Sequence, residues 1–359
     1  MMRILVVGLF VLASFGTSQK TESPYTTTGR IETTKDNKVL LIGSASSVSF
    51  NFRGRNCSIS LQNATANHNY VSLELDGDYI GRYRIEAGSA KDYNVPVSKN
   101  YKQHTLRIFK ATEAANGVVV FNGAKAENIT KFKIGTPKKV EFIGNSITSG
   151  MGNDVLQVPC DKGEWFDQHN AYWAYGPILS RSLKFDFLLS SVSGIGIYRN
   201  WNDENQIEPI MPDVYENLYL NKDTSKKFDA KYQPDLVSIG LGTNDLSDGD
   251  GRKPRLAFNE KKYVSNYVNF IKKIYKRYPK TRIVLLTSPM ISGKKNTVLV
   301  KCLKEVISNF ASDKTHKPIE LFEFKPMTPQ GCGNHPDIND HRQMAEQLEP
   351  VFKRLLELK

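Results

Sequence analysis

The chain has 359 residues, 40% of them apolar and 24% charged, with 25 glycines and 16 prolines. That composition excludes a collagen-like, low-complexity or wholly disordered polypeptide, and the length leans toward two domains. The 49 Lys and Arg outnumber the 37 Asp and Glu to give a formal charge of +12, which raises the question of an anionic partner. The densest basic stretch, Lys272, Lys273, Lys276, Arg277, Lys280 and Arg282, alternates with Ile271, Ile274, Tyr275 and Tyr278. This is the pattern of a surface helix with one face toward a core. No zinc-finger, RRM or basic-zipper signature accompanies it, so nucleic acid is not the expected partner.

At the start of the chain, Arg3 precedes an uncharged apolar run over residues 4–15 and then Gly16, Thr17 and Ser18. This reads as a secretory signal peptide over residues 1–18, shorter than the roughly 20 apolar residues that span a bilayer. No later segment is apolar enough to cross a membrane, so a secreted or periplasmic protein without a stable membrane anchor is expected. Disulfides persist in such compartments. The four cysteines, Cys57, Cys160, Cys302 and Cys332, allow three full pairings, and unpaired buried thiols are the alternative. Cys160 and Cys332 fall in loops expected near one site and form the preferred pair. The cysteine spacings match no zinc pattern, so no metal is expected.

Residues 31–121 read in short alternating runs: VSFNF at 48–52, CSISLQ at 57–62, YVSLEL at 70–75, YIGRYRI at 79–85, HTLRIFK at 104–110 and VVVFNG at 118–123. A period of two, broken by turn formers such as Asp76-Gly77-Asp78 and Asn116-Gly117, predicts antiparallel strands. The expectation is an all-β, jelly-roll-like sandwich over residues 20–130, with a connector at 128–139.

Beyond the connector the pattern changes. KVEFIG at 139–144, FDFLLSS at 185–191, DLVSIGLG at 235–242, RIVLLTS at 282–288 and IELFEF at 319–324 are near-continuous apolar runs, as in strands covered on both faces. Between and after them, residues 170–183, 260–278, 297–310 and 338–358 carry apolar residues at helical spacing. Residues 137–359 are therefore expected to form an α/β three-layer domain with a parallel, flavodoxin-like sheet, whose ligands lie at the carboxyl ends of the strands.

The loops at those ends carry the chemistry. Gly144-Asn145-Ser146 follows the first strand and presents a serine, Ser193-Gly194-Ile195-Gly196 follows the second, and Gly242-Thr243-Asn244-Asp245 the third. A serine so placed can be a nucleophile or a helix cap. Gly194 and Asn244 can supply a backbone N–H and a side-chain amide to a developing oxyanion, or simply form turns. Asn334-His335-Pro336-Asp337 precedes the last helix and offers an imidazole that could move a proton. His68, His104, His169, His316 and His341 show no comparable setting.

In that order, GNSIT, SGIG, GTND and HPD resemble the four blocks of the SGNH, or GDSL-like, hydrolase superfamily over residues 139–359. With the N-terminal sandwich, and with FIGNSITSGMGN, MPDVYENLY and GCGNHPD, nearly the whole mature chain is similar to the family 2 carbohydrate esterases. The resemblance implies an enzyme without cofactor or metal that removes O-acetyl groups from plant polysaccharides such as xylan and glucomannan. It makes Ser146 the nucleophile, His335 the general base and acid, and the N–H groups of Ser146 and Gly194 with the Asn244 side chain the oxyanion hole. Three positions depart from the usual pattern. Cys332 stands where many members have an Asp, which implies that a main-chain carbonyl in the turn before His335 orients the imidazole. Asn145 replaces an Asp beside the nucleophile. Asn334 replaces a frequent aromatic, so sugar stacking is expected from Tyr198 and Trp201. A lipase, thioesterase or peptidoglycan O-acetylesterase, and a non-catalytic glycan-binding protein, are the competing readings.

Overall fold

The structure, a computed structural model, describes residues 23–98, 101–133, 135, 137–203, 208–229, 231–252 and 254–358. The expected signal peptide lies outside these residues. Nine strands form the N-terminal unit: β1 (Thr26–Thr28), β2 (Ile31–Thr33), β3 (Val39–Leu41), β4 (Ser47–Asn63), β5 (Asn69–Leu75), β6 (Asp78–Ile85), β7 (Lys91–Asn94), β8 (His104–Lys110) and β9 (Val119–Lys131). They pair in the order β2-β3-β9-β4-β8-β5-β6, with β1 and β7 also on β4, and each of these pairs is antiparallel.

The runs at 48–52 and 57–62 are one strand rather than two. β4 passes through the exposed stretch Arg53, Gly54, Arg55 and Asn56, and its register against β9 shifts on both sides of Arg53. Such irregularities bend a strand without ending it. Val48, Phe50 and Phe52 before the bend and Cys57, Ile59 and Leu61 after it all enter the same buried core. One continuous hydrogen-bonded sheet, with β2 and β6 at the ends of its strand order, therefore carries the apolar side chains on both sides of the bend.

The second unit has five parallel strands, β10 (Lys139–Gly144), β11 (Asp186–Ser191), β12 (Leu236–Gly240), β13 (Arg282–Leu286) and β14 (Glu320–Phe322), in the order β11-β10-β12-β13-β14. That is the 2-1-3-4-5 arrangement of flavodoxin-like sheets. The helices are α1 (Ser146–Ser149), α2 (Tyr175–Leu183), α3 (Met211–Val214), α4 (Glu260–Arg277), α5 (Gly293–Ser308) and α6 (Ile338–Leu356). One core joins α4 and α5 to the sheet, and a second joins α2 and α6, so the sheet is covered on both faces. The basic stretch forms the outer face of α4 and of the turn leading on to β13: Lys272, Lys276 and Lys280 are exposed, while Ile271, Ile274, Tyr275 and Tyr278 are buried.

Polar and apolar contacts join the two units. Ser72 Oγ donates to Asn170 Oδ1 at 2.7 Å, the Tyr172 hydroxyl to Glu74 at 2.9 Å, and Ala171 N–H to the Ala111 carbonyl at 2.9 Å. Phe109 of β8 packs with Tyr172. Deeper, Arg30, 1% exposed, donates to the carbonyls of Asn217 and Tyr215 at 2.8 Å and to Ser190 Oγ at 2.9 Å. Ser190 and the Tyr215 hydroxyl in turn donate to buried Glu141 at 2.6 and 2.8 Å. Burial pushes the Glu141 pKa up, and the Arg30 charge opposes it. A buried charge needs such company to remain ionised.

Candidate active site

Strand adjacency assembles the site. β10 lies between β11 and β12, with Gly144 in register with Ser191 on one side and Gly240 on the other. The loops carrying Ser146, Gly194 and Asn244 therefore leave the sheet side by side. Ser146 opens α1, and Asn145, the departure from the usual Asp, caps that helix by accepting Ile147 N–H at 3.1 Å.

His335 comes from far along the chain to meet it. Its Nε2 lies 2.8 Å from Ser146 Oγ, and its Nδ1 lies 2.8 Å from the Gly333 carbonyl. Because a carbonyl can only accept, Nδ1 carries the proton and Nε2 accepts from the serine hydroxyl. This is the main-chain orientation expected from the absence of an Asp at position 332. Asp337 is occupied elsewhere, capping α6 by accepting Asp340 N–H at 2.8 Å. Burial lowers the His335 pKa below the ordinary 6.5, while the Gly333 carbonyl partly opposes the shift. The ring is neutral at pH 7.

The turn that holds His335 is attached to the chain leaving α1. Cys332 N–H donates to the Gly152 carbonyl at 2.9 Å and Ile338 N–H to the Asn153 carbonyl at 3.1 Å. Gly152, at φ 67°, admits this approach because a Cβ there would stand 2.6 Å from the Cys332 carbonyl oxygen. A disulfide joins Cys160 to Cys332 across 172 residues of sequence, and Cys57 and Cys302 are buried free thiols. The preferred pair is thus the bonded one.

Opposite, the loop after β11 is shaped by buried carboxylates. Asp245 accepts the N–H groups of Ile197, Tyr198 and Arg199 at 2.9 to 3.2 Å. Burial nevertheless pushes its pKa up to about 6. Asn244 Nδ2 donates to the Ile195 carbonyl at 2.8 Å, which uses one of its two amide hydrogens and leaves the other for a ligand. Gly194 adopts φ 77°, with nothing nearer to a hypothetical Cβ than Trp201 Cβ at 4.0 Å, so it borders open space. Ser193 is bound by Glu113, which accepts its N–H at 2.7 Å and its hydroxyl.

Tyr198 and Trp201 part company. Tyr198 is 4% exposed, packs against Phe258 and Tyr263, and accepts Asn259 N–H on its hydroxyl at 3.0 Å, so it supports the loop from beneath and cannot face a sugar. Burial of this aromatic satisfies the core where the sequence shows only a loop. Trp201 is 46% exposed, and its main-chain N–H donates to the Gly194 carbonyl at 2.8 Å.

Three residues near the site, Asp245, Trp165 and Glu113, carry no sequence expectation, and a fourth, His169, is set aside with the other histidines. Asp245 adjoins Asn244 in GTND and was recognisable as a potential acceptor for loop N–H groups. Trp165, 50% exposed, stands edge-on to His169 at 4.9 Å. His169 is fully buried, with Nε2 3.5 Å from Glu113. Glu113 belongs to the other unit, and nothing local in ATEAAN marks it. The remaining histidines are structural: His68, His104 and His316 pair with Asp167, Asp76 and Asp313, and buried His341 accepts Tyr175 N–H. Among the described residues no group of three His, Cys, Asp or Glu is placed to hold a metal ion.

Comparison with known proteins gives this arrangement a family. Residues 142–348 match the GDSL-like Lipase/Acylhydrolase family, and residues 27–133 match the family described as Carbohydrate esterase 2 N-terminal. An acetylxylan esterase / glucomannan deacetylase of Cellvibrio japonicus (strain Ueda107) is 29% identical over 296 residues, covering 77% of this chain and 79% of that one. The cellulase/esterase CelE of Acetivibrio thermocellus is 28% identical over 337 residues, 91% of this chain but 39% of its own length. The structure of a family two carbohydrate esterase from Clostridium thermocellum in complex with cellohexaose superposes with a TM-score of 0.80 at 26% identity, covering 93% of this chain and all of that one. The chain belongs to the GDSL-like lipase/acylhydrolase family. With its N-terminal unit, it is a family 2 carbohydrate esterase.

Proposed function

We propose that the protein is an exported serine esterase that removes O-acetyl groups from plant cell-wall polysaccharides, xylan and glucomannan, through an acetyl-serine intermediate. The observation that carries the reading is the aligned relay from Ser146 Oγ through His335 to the Gly333 carbonyl, 2.8 Å at each step. Ser146 Oγ attacks the acetyl carbonyl carbon as His335 Nε2 takes its proton. The carbonyl oxygen, now negative, is met by the N–H groups of Ser146 and Gly194 and by Asn244 Nδ2. Each such donor is worth about 3 kcal/mol of barrier. Collapse of the tetrahedral species breaks the bond to the sugar oxygen, which leaves with the proton from His335. Water then enters, gives a proton to His335 and releases acetate, and Ser146 recovers its hydrogen.

In this reading residues 20–130 form the jelly-roll-like sandwich and residues 137–359 the catalytic unit. The disulfide supports export, since thiols near an intracellular site would be kept reduced. Sugar rings would lie against Trp201 beside Gly194 and Trp165 beside His169, two half-exposed aromatic faces at the site. The test is acetate release from acetylated xylan, acetylated glucomannan and a small aryl acetate, with Ser146→Ala as control. Loss in the variant is expected. Undiminished turnover would sink the assignment, and faster hydrolysis of long acyl chains than of acetate would favour a lipase or thioesterase.

A further inference from the structure

The loop that presents Gly194 is held from the other side of the domain junction. Glu113 follows β8 of the antiparallel unit and is 1% exposed. Its Oε2 accepts Ser193 N–H at 2.7 Å, its Oε1 accepts the Ser193 hydroxyl, and the same Oε1 lies 3.5 Å from His169 Nε2. These carboxylate contacts all go to the parallel-sheet unit.

Its own backbone is fixed as firmly. Buried Lys110 donates to the Glu113 carbonyl at 2.6 Å and to Thr112 Oγ1 at 2.9 Å, and Glu113 N–H donates to Asn116 Oδ1 at 3.2 Å. Lys110 belongs to β8, so the anchoring runs from the carboxylate back into the antiparallel sheet.

Two bonds to the one residue Ser193 fix its backbone orientation. The next peptide group, Ser193–Gly194, carries the N–H that the mechanism needs at the acetyl oxygen. We propose that Glu113 is a positioning residue of the oxyanion hole, through which the N-terminal unit aims the Gly194 N–H across the domain junction. This rests on the ester-hydrolysis reading above, and it gives the antiparallel unit a part in turnover beyond packing or glycan binding. The two Ser193 donors meet different oxygens of Glu113, and an ionised carboxylate accepts at both, whereas an amide puts an NH2 group in place of one. Burial pushes the Glu113 pKa up, but His169 and the Ser193 donors more than offset this and leave it below the ordinary value. A carboxylate near a developing oxyanion would repel it if unbalanced. Here the two Ser193 donors and the His169 ring meet the charge.

The experiment is steady-state hydrolysis of a small aryl acetate by the full chain, with binding of methylboronic acid, which adds to a serine oxygen as a tetrahedral anion. In Glu113→Ala, kcat is expected to fall about 10- to 100-fold, less than the roughly 10²- to 10³-fold that removing an oxyanion donor outright costs, because the Gly194 N–H is loosened rather than lost. KM should stay within about threefold, and boronate affinity should fall in parallel with kcat. In Glu113→Gln, which keeps shape and one acceptor, a smaller kcat loss at wild-type Tm is expected. A purely structural role would lower Tm and the active fraction together while the folded enzyme kept wild-type kcat and boronate affinity, and that outcome would overturn the proposal. Should Glu113→Ala fail to fold, wild-type kcat in Glu113→Gln overturns it equally. Absence of acetate release by the unmutated protein would instead remove the reading beneath it.

Discussion

His335 can act as a base only while its imidazole is neutral. Burial lowers its pKa from the ordinary 6.5, so as pH rises the ring loses its proton early and kcat/KM should rise through a midpoint below 6.5 to a plateau at neutrality. Asp245 acts in the same direction, since protonation as pH falls through about 6 removes acceptors from the loop behind Gly194. A pH–rate profile with its acid limb centred above 6.5 would contradict both. For Asn244→Ala, loss of a single oxyanion donor predicts a fall in kcat of about 10²- to 10³-fold with KM little changed, readable on an aryl acetate. Trp201→Ala should raise KM for acetylated polysaccharide far more than KM for that small substrate, because a glycan has further sugar rings to lay on an exposed indole face. Ser146, Gly194, Asn244 and His335 were legible as residues, because each follows a buried strand or precedes a capped helix. The place of Tyr198 was not, since an aromatic in a loop looks the same in sequence whether it points out or, as here, into the core between Phe258 and Tyr263.

Among the elements, the β-strands of the parallel sheet were the most legible, because strands buried on both faces leave unbroken apolar runs. Helix starts were less so. The segment expected to be helical from 170 is a 3-10 turn at Ala171–Trp173 before α2 begins at Tyr175, as Asn170 is drawn into bonds with Ser72, Tyr79 and Asp154. α5 begins four residues before the expected 297, at Gly293. The turn before His335 depends on a tether rather than on a helix. Replacing Cys160 and Cys332 by Ser together should cost about 2–4 kcal/mol of stability. It should also reduce kcat, since Gly333 and Asn334 hold left-handed φ values of 63° and 57° that the neighbouring bond to Gly152 helps maintain. Thermal unfolding and turnover with and without reductant would measure the two effects, and an unchanged Tm after reduction would argue against the tether.

For the molecule as a whole, the junction between the units is built like an interior. Arg30→Ala would leave Glu141 buried without its cation, a change expected to cost about 3–5 kcal/mol, visible in denaturant unfolding. A variant as stable as the parent would show that Glu141 is neutral or relieved by water. The charge of +12 can be placed as well. The acetyl ester is neutral, so hydrolysis of a small aryl acetate should be insensitive to salt. Xylan bearing uronic acids should lose turnover as salt rises, through screening of attraction to the basic surface. Equal salt dependence for both substrates would remove the charge from substrate recognition.

Chain order, strand type and the loops that carry Ser146, Gly194, Asn244 and His335 at the sheet's edge are set by local pattern, because hydrophobic period and turn chemistry act over a few residues. Long-range juxtaposition decided the rest. The bend that makes β4 a single strand, the cysteine pairing chosen from three, the carbonyl that orients His335 and the carboxylate reaching from Glu113 to Ser193 each depend on where distant segments meet. A charge of +12 suggests an anionic partner by composition alone; the fold shows part of it to be the solvated face of α4, while Arg30 and Lys110 are buried within or between the two units.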